Sequence, residues 1–163
     1  MALTDEEKRK RKERAKKRGE AKEDEIFWAY VAGFIEGDGC LSMNARYQTS
    51  VALIQSDRGV LDWLCDKTRL GVVSKKQNKT PTIGDGISYH WRIRGAKQVI
   101  YICERMINHL KTEKRDKAVL LMQLAVLKSN HRKGTKMQRG DKKQRGRILR
   151  DWELVSPGLA KGI

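Results

Sequence analysis

The hydrophobic positions of this chain switch between the period of a helix and the period of a strand. From residue 25 to residue 37 they recur every three or four positions, which predicts a helix that is buried on most sides. Residues 40–47 and 50–55 instead alternate apolar and polar positions, which predicts two half-buried strands joined as a hairpin. A helix followed by a hairpin is therefore the first structural unit of the chain.

The same order of elements is repeated further along the chain. Ser56 and Asp57 precede an amphipathic segment, as a helix cap would. The predicted elements are a helix ending near Leu70-Gly71, strands over 72–78 and 88–94, and helices over 96–110 and 118–128. The predicted fold class is α+β, in the order α-β-β-α-β-β-α, with a four-stranded antiparallel sheet covered by helices on one face.

The other face of this sheet is predicted to be polar and basic, apart from one cysteine. Its positions are Cys40, Ser42, Asn44, Arg46, Gln48, Ser50, Ser74, Lys76, Asn78, Ser88, His90, Arg92 and Arg94. An antiparallel sheet can keep one face in water, and antiparallel β-ribbons fit the major groove of DNA. Arginine side chains suit guanine, and Asn or Gln side chains suit adenine. Any half-exposed strand has polar positions, so the prediction of DNA contact rests on the whole set.

Composition favours a polyanionic partner. The 163 residues include 36 Lys and Arg against 20 Asp and Glu, for a net charge of +16, and nucleic acid is the simplest partner of such a chain. No apolar run approaches the roughly 20 residues of a membrane span. The N-terminus lacks an apolar signal region, so we expect an intracellular protein of the cytoplasm, nucleoid or an organelle. The three cysteines are too far apart to form a zinc motif or a disulfide framework.

Charge also divides the chain into three predicted regions, residues 1–24, 25–128 and 129–163. Residues 1–24 hold ten Lys and Arg and seven acids without an apolar stripe. Disorder is the expected state of this arm, with a solvated helix as the alternative, and its role is left open between contact with DNA flanks and none. The basic extension 129–163 is expected to be mostly loop, with a short helix around Ile148 and Trp152.

The end of the first predicted helix carries the candidate chemistry. Gly33 and Gly37 lie four positions apart beside Ala32, and small residues on one helix face favour close approach of another helix. Asp38 then falls at the helix C-terminus, where the helix dipole disfavours an anion and invites a cation. In so basic a chain, the predicted cation is a metal between this carboxylate and a phosphate. A C-cap and tight turn is the structural alternative for Gly-Asp-Gly.

The segment Val31-Ala32-Gly33-Phe34-Ile35-Glu36-Gly37-Asp38-Gly39 resembles the signature of the LAGLIDADG homing endonucleases. The order of elements over about residues 26–127 also follows that family. Because this chain has one motif, it resembles the homodimeric members, in which two motif helices pack together and two sheets grip DNA. The implied dimer interface consists of Ala32, Gly33, Glu36 and Gly37.

The resemblance also implies the residues of the active site. Asp38 and the Gly37 carbonyl would bind Mg2+, for which Mn2+ or Ca2+ could substitute in binding. Gln55 and Lys114 would complete the catalytic surroundings, with Lys111 as the alternative lysine. Glu36, the first acid of the motif, is expected to be structural.

The implied function is a site-specific, metal-dependent double-strand break in a long, near-palindromic DNA target. The resemblance also implies that the protein is encoded by a mobile intron or as an intein. We expect it to bind neither a membrane nor a small-molecule substrate. Arg58 would contact a phosphate. The alternatives are an intron RNA maturase or a catalytically inactive nucleic-acid-binding protein of the same fold, and a generic basic RNA-binding protein.

Overall fold

The computed structural model describes residues 5–44, 46–77, 87–130 and 138–156. The elements in chain order are α1 (Asp5–Asp38), β1 (Gly39–Met43), β2 (Thr49–Gln55), α2 (Arg58–Thr68), β3 (Val72–Gln77), β4 (Ile87–Arg94), α3 (Ala96–Met106), α4 (Glu113–Ser129) and α5 (Arg139–Val155). The predicted turn at 78–86 lies outside the described residues.

The four strands form one antiparallel sheet in the order β1-β2-β4-β3. The alternate positions that face the helices are apolar, and Val51, Leu53, Trp91 and Ile93 are almost completely buried there. Side chains of α1, α3 and α4 fill the same core. These observations confirm the predicted α+β class and the sheet with helices on one face.

Helix α1 is 34 residues long and runs through position 24 without a break. The expectation of disorder in the N-terminal arm is therefore wrong for residues 5–24, which are helical. Most of these residues are good helix formers, and pairs four positions apart bring opposite charges together. Lys10 lies 2.7 Å from Glu6, and Lys17 lies 2.9 Å from Glu13.

The last two helices begin earlier or extend further than the sequence pattern predicts. Helix α4 starts at Glu113, because Thr112 caps it by accepting a hydrogen bond from the Lys114 backbone N–H. Residues 113–117, which lie between the two helices predicted over 96–110 and 118–128, thus belong to the start of α4. Helix α5 replaces the expected loop with 17 helical residues, and its Ile148 and Trp152 side chains are buried in the core. Among the described helices, none combines the length and apolar character that a membrane span requires.

Candidate active site

The chain reverses sharply between α1 and β1, and this reversal places Asp38. A side chain on Gly39 would lie 2.5 Å from the Cα atom of Ile35 and 2.6 Å from its carbonyl oxygen. Only glycine lets β1 start so close to the last turn of α1. The exposed Asp38 carboxylate therefore sits at the junction of helix and sheet.

Gln55 holds the Asp38 carboxylate from the neighbouring strand. Strand β2 pairs with β1 so that Leu53 is opposite Gly39, and Gln55 at the end of β2 therefore reaches back to the helix end. Its Nε2 atom donates a hydrogen bond of 2.6 Å to Asp38 Oδ2. Asp38 and Gln55, for which the family resemblance implies catalytic roles, lie 17 positions apart in the sequence and are in direct contact.

Lys114 binds the C-terminal end of α1. Its Nζ atom donates hydrogen bonds to the carbonyl oxygens of Ile35, Glu36 and Gly39, at 2.9, 2.7 and 2.9 Å. The last carbonyls of a helix have no partner within the helix, and a cation there is favoured by the dipole. The half-buried ammonium group therefore stabilises the turn that carries Asp38. The Lys111 side chain is exposed, and that residue contributes its backbone N–H instead.

Glu36 makes the reciprocal contact. Its carboxylate Oε1 accepts hydrogen bonds from the backbone N–H groups of Lys111 and Thr112, the second at 2.7 Å, at the start of α4. These two hydrogen bonds, first that of Lys111, lower the pKa of Glu36 below its ordinary value. We call Glu36 and Lys114 together the reciprocal clamp, because each side chain caps the other's helix. This arrangement supports the expected structural role of Glu36.

The donor set of one chain is small for a metal centre. Within the described parts of the chain, no three His, Cys, Asp or Glu side chains form a group that could hold a metal ion. Mg2+ usually keeps several waters and takes one or two carboxylates together with substrate phosphates. The exposed Asp38 carboxylate fits that pattern, provided that DNA and a second copy of the chain supply the remaining oxygen ligands.

The polar face of the sheet forms an open groove beside Asp38. The predicted contact residues that line it are Cys40, Ser42, Asn44, Gln48, Ser50, Lys76, His90, Arg92 and Arg94. Ser74 lines an adjacent hollow together with Arg92 and Arg94. Arg46 is exposed in the β1–β2 turn, Ser88 is half-buried on β4, and Asn78 lies outside the described residues. Arg58 is placed on α2, where its Nε atom lies 3.0 Å from Asp62.

Two side chains of the groove are already buried or hydrogen-bonded within the chain. His90 lines the groove as predicted from the strand alternation, but its side chain is only 6% exposed. Burial, and then the nearby charges of Lys76 and Arg92, lower the pKa of His90. Asn44 is occupied by the β1–β2 turn: its Oδ1 atom accepts backbone hydrogen bonds from Arg46 and Gln48, both at 2.9 Å. Contact with adenine through Asn44 would therefore use its Nδ2 group, which donates to Gln48 at 2.7 Å.

The sequence pattern missed one basic residue of the groove. Lys128, near the end of α4, reaches the groove, and its Nζ atom lies 3.5 Å from the carbonyl oxygens of Arg46 and Tyr47. No strand periodicity could have revealed it, because it comes from a helix. The Arg145 guanidinium of α5 packs on the Tyr47 ring at 4.8 Å, so both C-terminal helices brace this turn.

The predicted dimer face is only partly accessible. Ala32 is fully buried in the core of its own chain, which contradicts its assignment to an interface. Gly33 and Gly37 are exposed, and a side chain on either would meet nothing within 4 Å. Ile26 and Tyr30 extend the same side of α1 and are 60% and 45% exposed. The accessible face of α1 therefore includes Gly33, Gly37, Ile26 and Tyr30, and it excludes Ala32.

No protein-family model matches the chain, and a search of curated proteins found no match either. Solved structures do share its fold. The archaeal intron-encoded homing endonuclease I-Vdi141I, complexed with DNA, has a TM-score of 0.62 and 17% identity, with 80% of this chain and 84% of that chain covered. The homing endonuclease I-CvuI, in complex with its target in the presence of calcium, has a TM-score of 0.55 and 19% identity, with 85% and 82% covered.

A third similar structure is longer than this chain. The LAGLIDADG meganuclease I-AabMI, bound to uncleaved DNA, has a TM-score of 0.58 and 18% identity, and the match covers 82% of this chain but 46% of that one. This chain therefore spans about half the length of I-AabMI and most of the length of the other two. The fold is that of the LAGLIDADG homing endonucleases, as the sequence motif predicts.

Proposed function

We propose that this chain is a site-specific DNA endonuclease of the LAGLIDADG type that acts as a homodimer. One observation carries the proposal: an exposed carboxylate, Asp38, is held by Gln55 at the end of the motif helix, directly beside a basic groove. The fold also supports the proposal, since I-CvuI and I-Vdi141I, which share it, are homing endonucleases in complex with DNA.

The groove supplies the surface for double-stranded DNA. Lys76, Arg92, Arg94 and Lys128 line it, and no acidic residue does among those described. Phosphate contacts of this kind give affinity and set the position of the duplex, whereas base contacts give specificity. Arg92 and Arg94 alternate with buried positions on β4, so both point into the groove, where an arginine can donate two hydrogen bonds to guanine.

Asp38 is the proposed metal ligand, with the Gly37 carbonyl as a further oxygen donor. When bound, Mg2+ would polarise the scissile phosphate and lower the pKa of a water molecule. Gln55 fixes the orientation of the carboxylate through Oδ2, so Oδ1 would be the oxygen that coordinates the metal. Lys114 holds the helix end on which both donors sit. Because its ammonium already donates to three carbonyls, we assign it a positioning role at the catalytic site.

The homodimer follows from the number of catalytic carboxylates. One chain supplies one Asp38, and a double-strand break requires cleavage of two phosphodiester bonds. Two chains that meet through Gly33 and Gly37 would bring their helix ends together around a two-fold axis. A target read by two identical grooves would then be long and nearly palindromic.

The decisive experiment is cleavage of a randomised double-stranded DNA library with Mg2+. We expect the wild-type protein to cut a near-palindromic site, and Asp38→Asn to bind the selected site without cutting it. Asp66→Asn is the matched control, because it removes one exposed carboxylate from α2 and should cut normally. EDTA should abolish cleavage.

Two outcomes would contradict the proposal. Cleavage by Asp38→Asn at the wild-type rate would exclude Asp38 from the chemistry. Binding of DNA or RNA without any cleavage by the wild-type protein would instead favour the maturase or the inactive binding protein of the same fold.

A further inference from the structure

The N-terminal part of α1 projects from the domain as an isolated helix. Residues 6–23, which we call the basic arm, are all exposed. The arm leaves the domain at Asp24, whose carboxylate lies 2.9 Å from the Arg105 guanidinium and accepts a hydrogen bond from the Trp28 indole N–H. Beyond these contacts, no other element covers the arm within the described residues.

The arm points away from the groove. Helix α3 begins at Ala96, which lines the groove, and Arg105 lies near its other end, about 14 Å along the helix axis. Helix α1 contacts Arg105 through Asp24, and no described residue of α1 lines the groove. At 1.5 Å per residue, Arg18 is about 30 Å and Arg11 about 40 Å from Asp38 along the helix axis. The arm therefore does not lie on the duplex segment that is held in the groove.

The charge of the arm is concentrated and partly unpaired. Residues 8–18 contain nine Lys and Arg and one acid. Lys10, Lys16 and Lys17 pair with glutamates of the same helix. Arg11, Arg14 and Arg18 follow one another at intervals of three and four residues and so share one face. These three, which we call the arginine stripe, make no ion pair with any described residue.

The composition of the arm restricts its partner. Its only apolar residues are Ala15 and Ala21, so it has no surface that could pack against an apolar groove or a second copy of itself. Two like-charged arms would also repel each other. A single helix with arginines on one face can enter or follow the major groove of a nucleic-acid duplex and pair with its phosphates.

We propose that the arginine stripe of the basic arm binds the phosphate backbone of a second nucleic-acid duplex while the groove holds the first. The protein would then bridge two duplexes, or two distant segments of one. This proposal rests on duplex binding by the groove, which is part of the proposed function, but it does not depend on cleavage.

The test is fluorescence energy transfer between a donor-labelled DNA duplex and an acceptor-labelled duplex of unrelated sequence. The acceptor is DNA in one series and RNA in the other, which distinguishes the two sources of the backbone. Fluorescence anisotropy of one labelled duplex measures binding to the groove separately. The variant is Arg11→Gln/Arg14→Gln/Arg18→Gln. The matched control, Lys10→Gln/Lys16→Gln/Lys17→Gln, removes the same charge from the same arm but from paired residues on other faces.

We expect the wild-type protein and the lysine control to bridge, and the arginine variant to bind one duplex without bridging. With three phosphate contacts, arm-dependent affinity should fall about 40-fold between about 50 and 200 mM salt.

Three results would overturn the proposal. These are no bridging by the wild-type protein, equal bridging by the arginine variant, or equal loss in both variants. If the wild-type protein binds one duplex but does not bridge, the groove assignment survives and the arm assignment fails. If it binds no duplex, both fail.

Discussion

Replacing Lys114 with methionine tests whether this residue acts by holding the helix end. Methionine keeps an unbranched side chain but removes the ammonium that donates to three carbonyl oxygens at 2.7 to 2.9 Å. A hydrogen bond to a charged group contributes about 1.5–3 kcal/mol. The three bonds share one ammonium, and half-exposed carbonyls can regain water, so the contributions do not add. We therefore expect the free energy of unfolding to fall by about 2–3 kcal/mol in total.

The measurement is thermal and denaturant unfolding of the full chain. For a domain of this size each kcal/mol shifts Tm by about 2–4 °C, so Tm should fall by about 4–12 °C. Lys111→Met is the matched control, because its side chain is exposed and its backbone N–H to Glu36 is kept. That substitution should stay within about 0.5 kcal/mol. Lys114→Arg should not rescue stability, since a planar guanidinium cannot direct its donors to three converging carbonyls as an ammonium can.

The reasoning is refuted if Lys114→Met and Lys111→Met unfold at the same temperature. A Lys114→Met protein of wild-type stability that cuts DNA slowly would instead place Lys114 among the groups that act directly in the reaction. A loss of stability accompanied by near-normal cleavage at low temperature would support the positioning role.

Three further predictions concern the same helix and its ends. The pKa of Glu36 in the folded protein is below its ordinary value of 4.5, so the ionised carboxylate stabilises the fold above pH 4.5. This contribution is lost as pH falls through the lowered pKa. Glu36→Gln should therefore reduce Tm at neutral pH, whereas in acid its Tm should converge with that of the wild-type protein. Gly39→Ala places a methyl group 2.5 Å from backbone and should cost about 1–3 kcal/mol or more in denaturant unfolding, whereas Gly140→Ala, in open space on α5, should be neutral or stabilising. Gly33→Leu should lower the mass in solution from dimer to monomer, while Gly19→Leu on the basic arm should not; an unchanged mass would exclude the Gly33 face as the interface.

The sequence determined the sheet and the position of the candidate site at its edge. Period-two alternation identified both hairpins, since one face of the sheet is buried and the other is wet. The nine-residue motif identified Asp38, and the resemblance to the same family identified Gln55 at the end of the second strand, because both signals are local. The residues that line the groove were also largely predictable, as alternate positions of known strands must share a face.

Only the tertiary structure decided the orientation of α1, the extent of α5 and the contacts between helix ends. The rotation of α1 against the core buried Ala32 and exposed Gly33, although the two are neighbours in sequence. The sequence predicted only a short helix around Ile148 and Trp152, whereas α5 spans 17 residues, because packing of both side chains against the core stabilises a longer helix. The reciprocal clamp joins residues more than 70 positions apart. Sequence periodicity reports which residues share a face, but the contacts between two helix ends depend on how the whole chain packs.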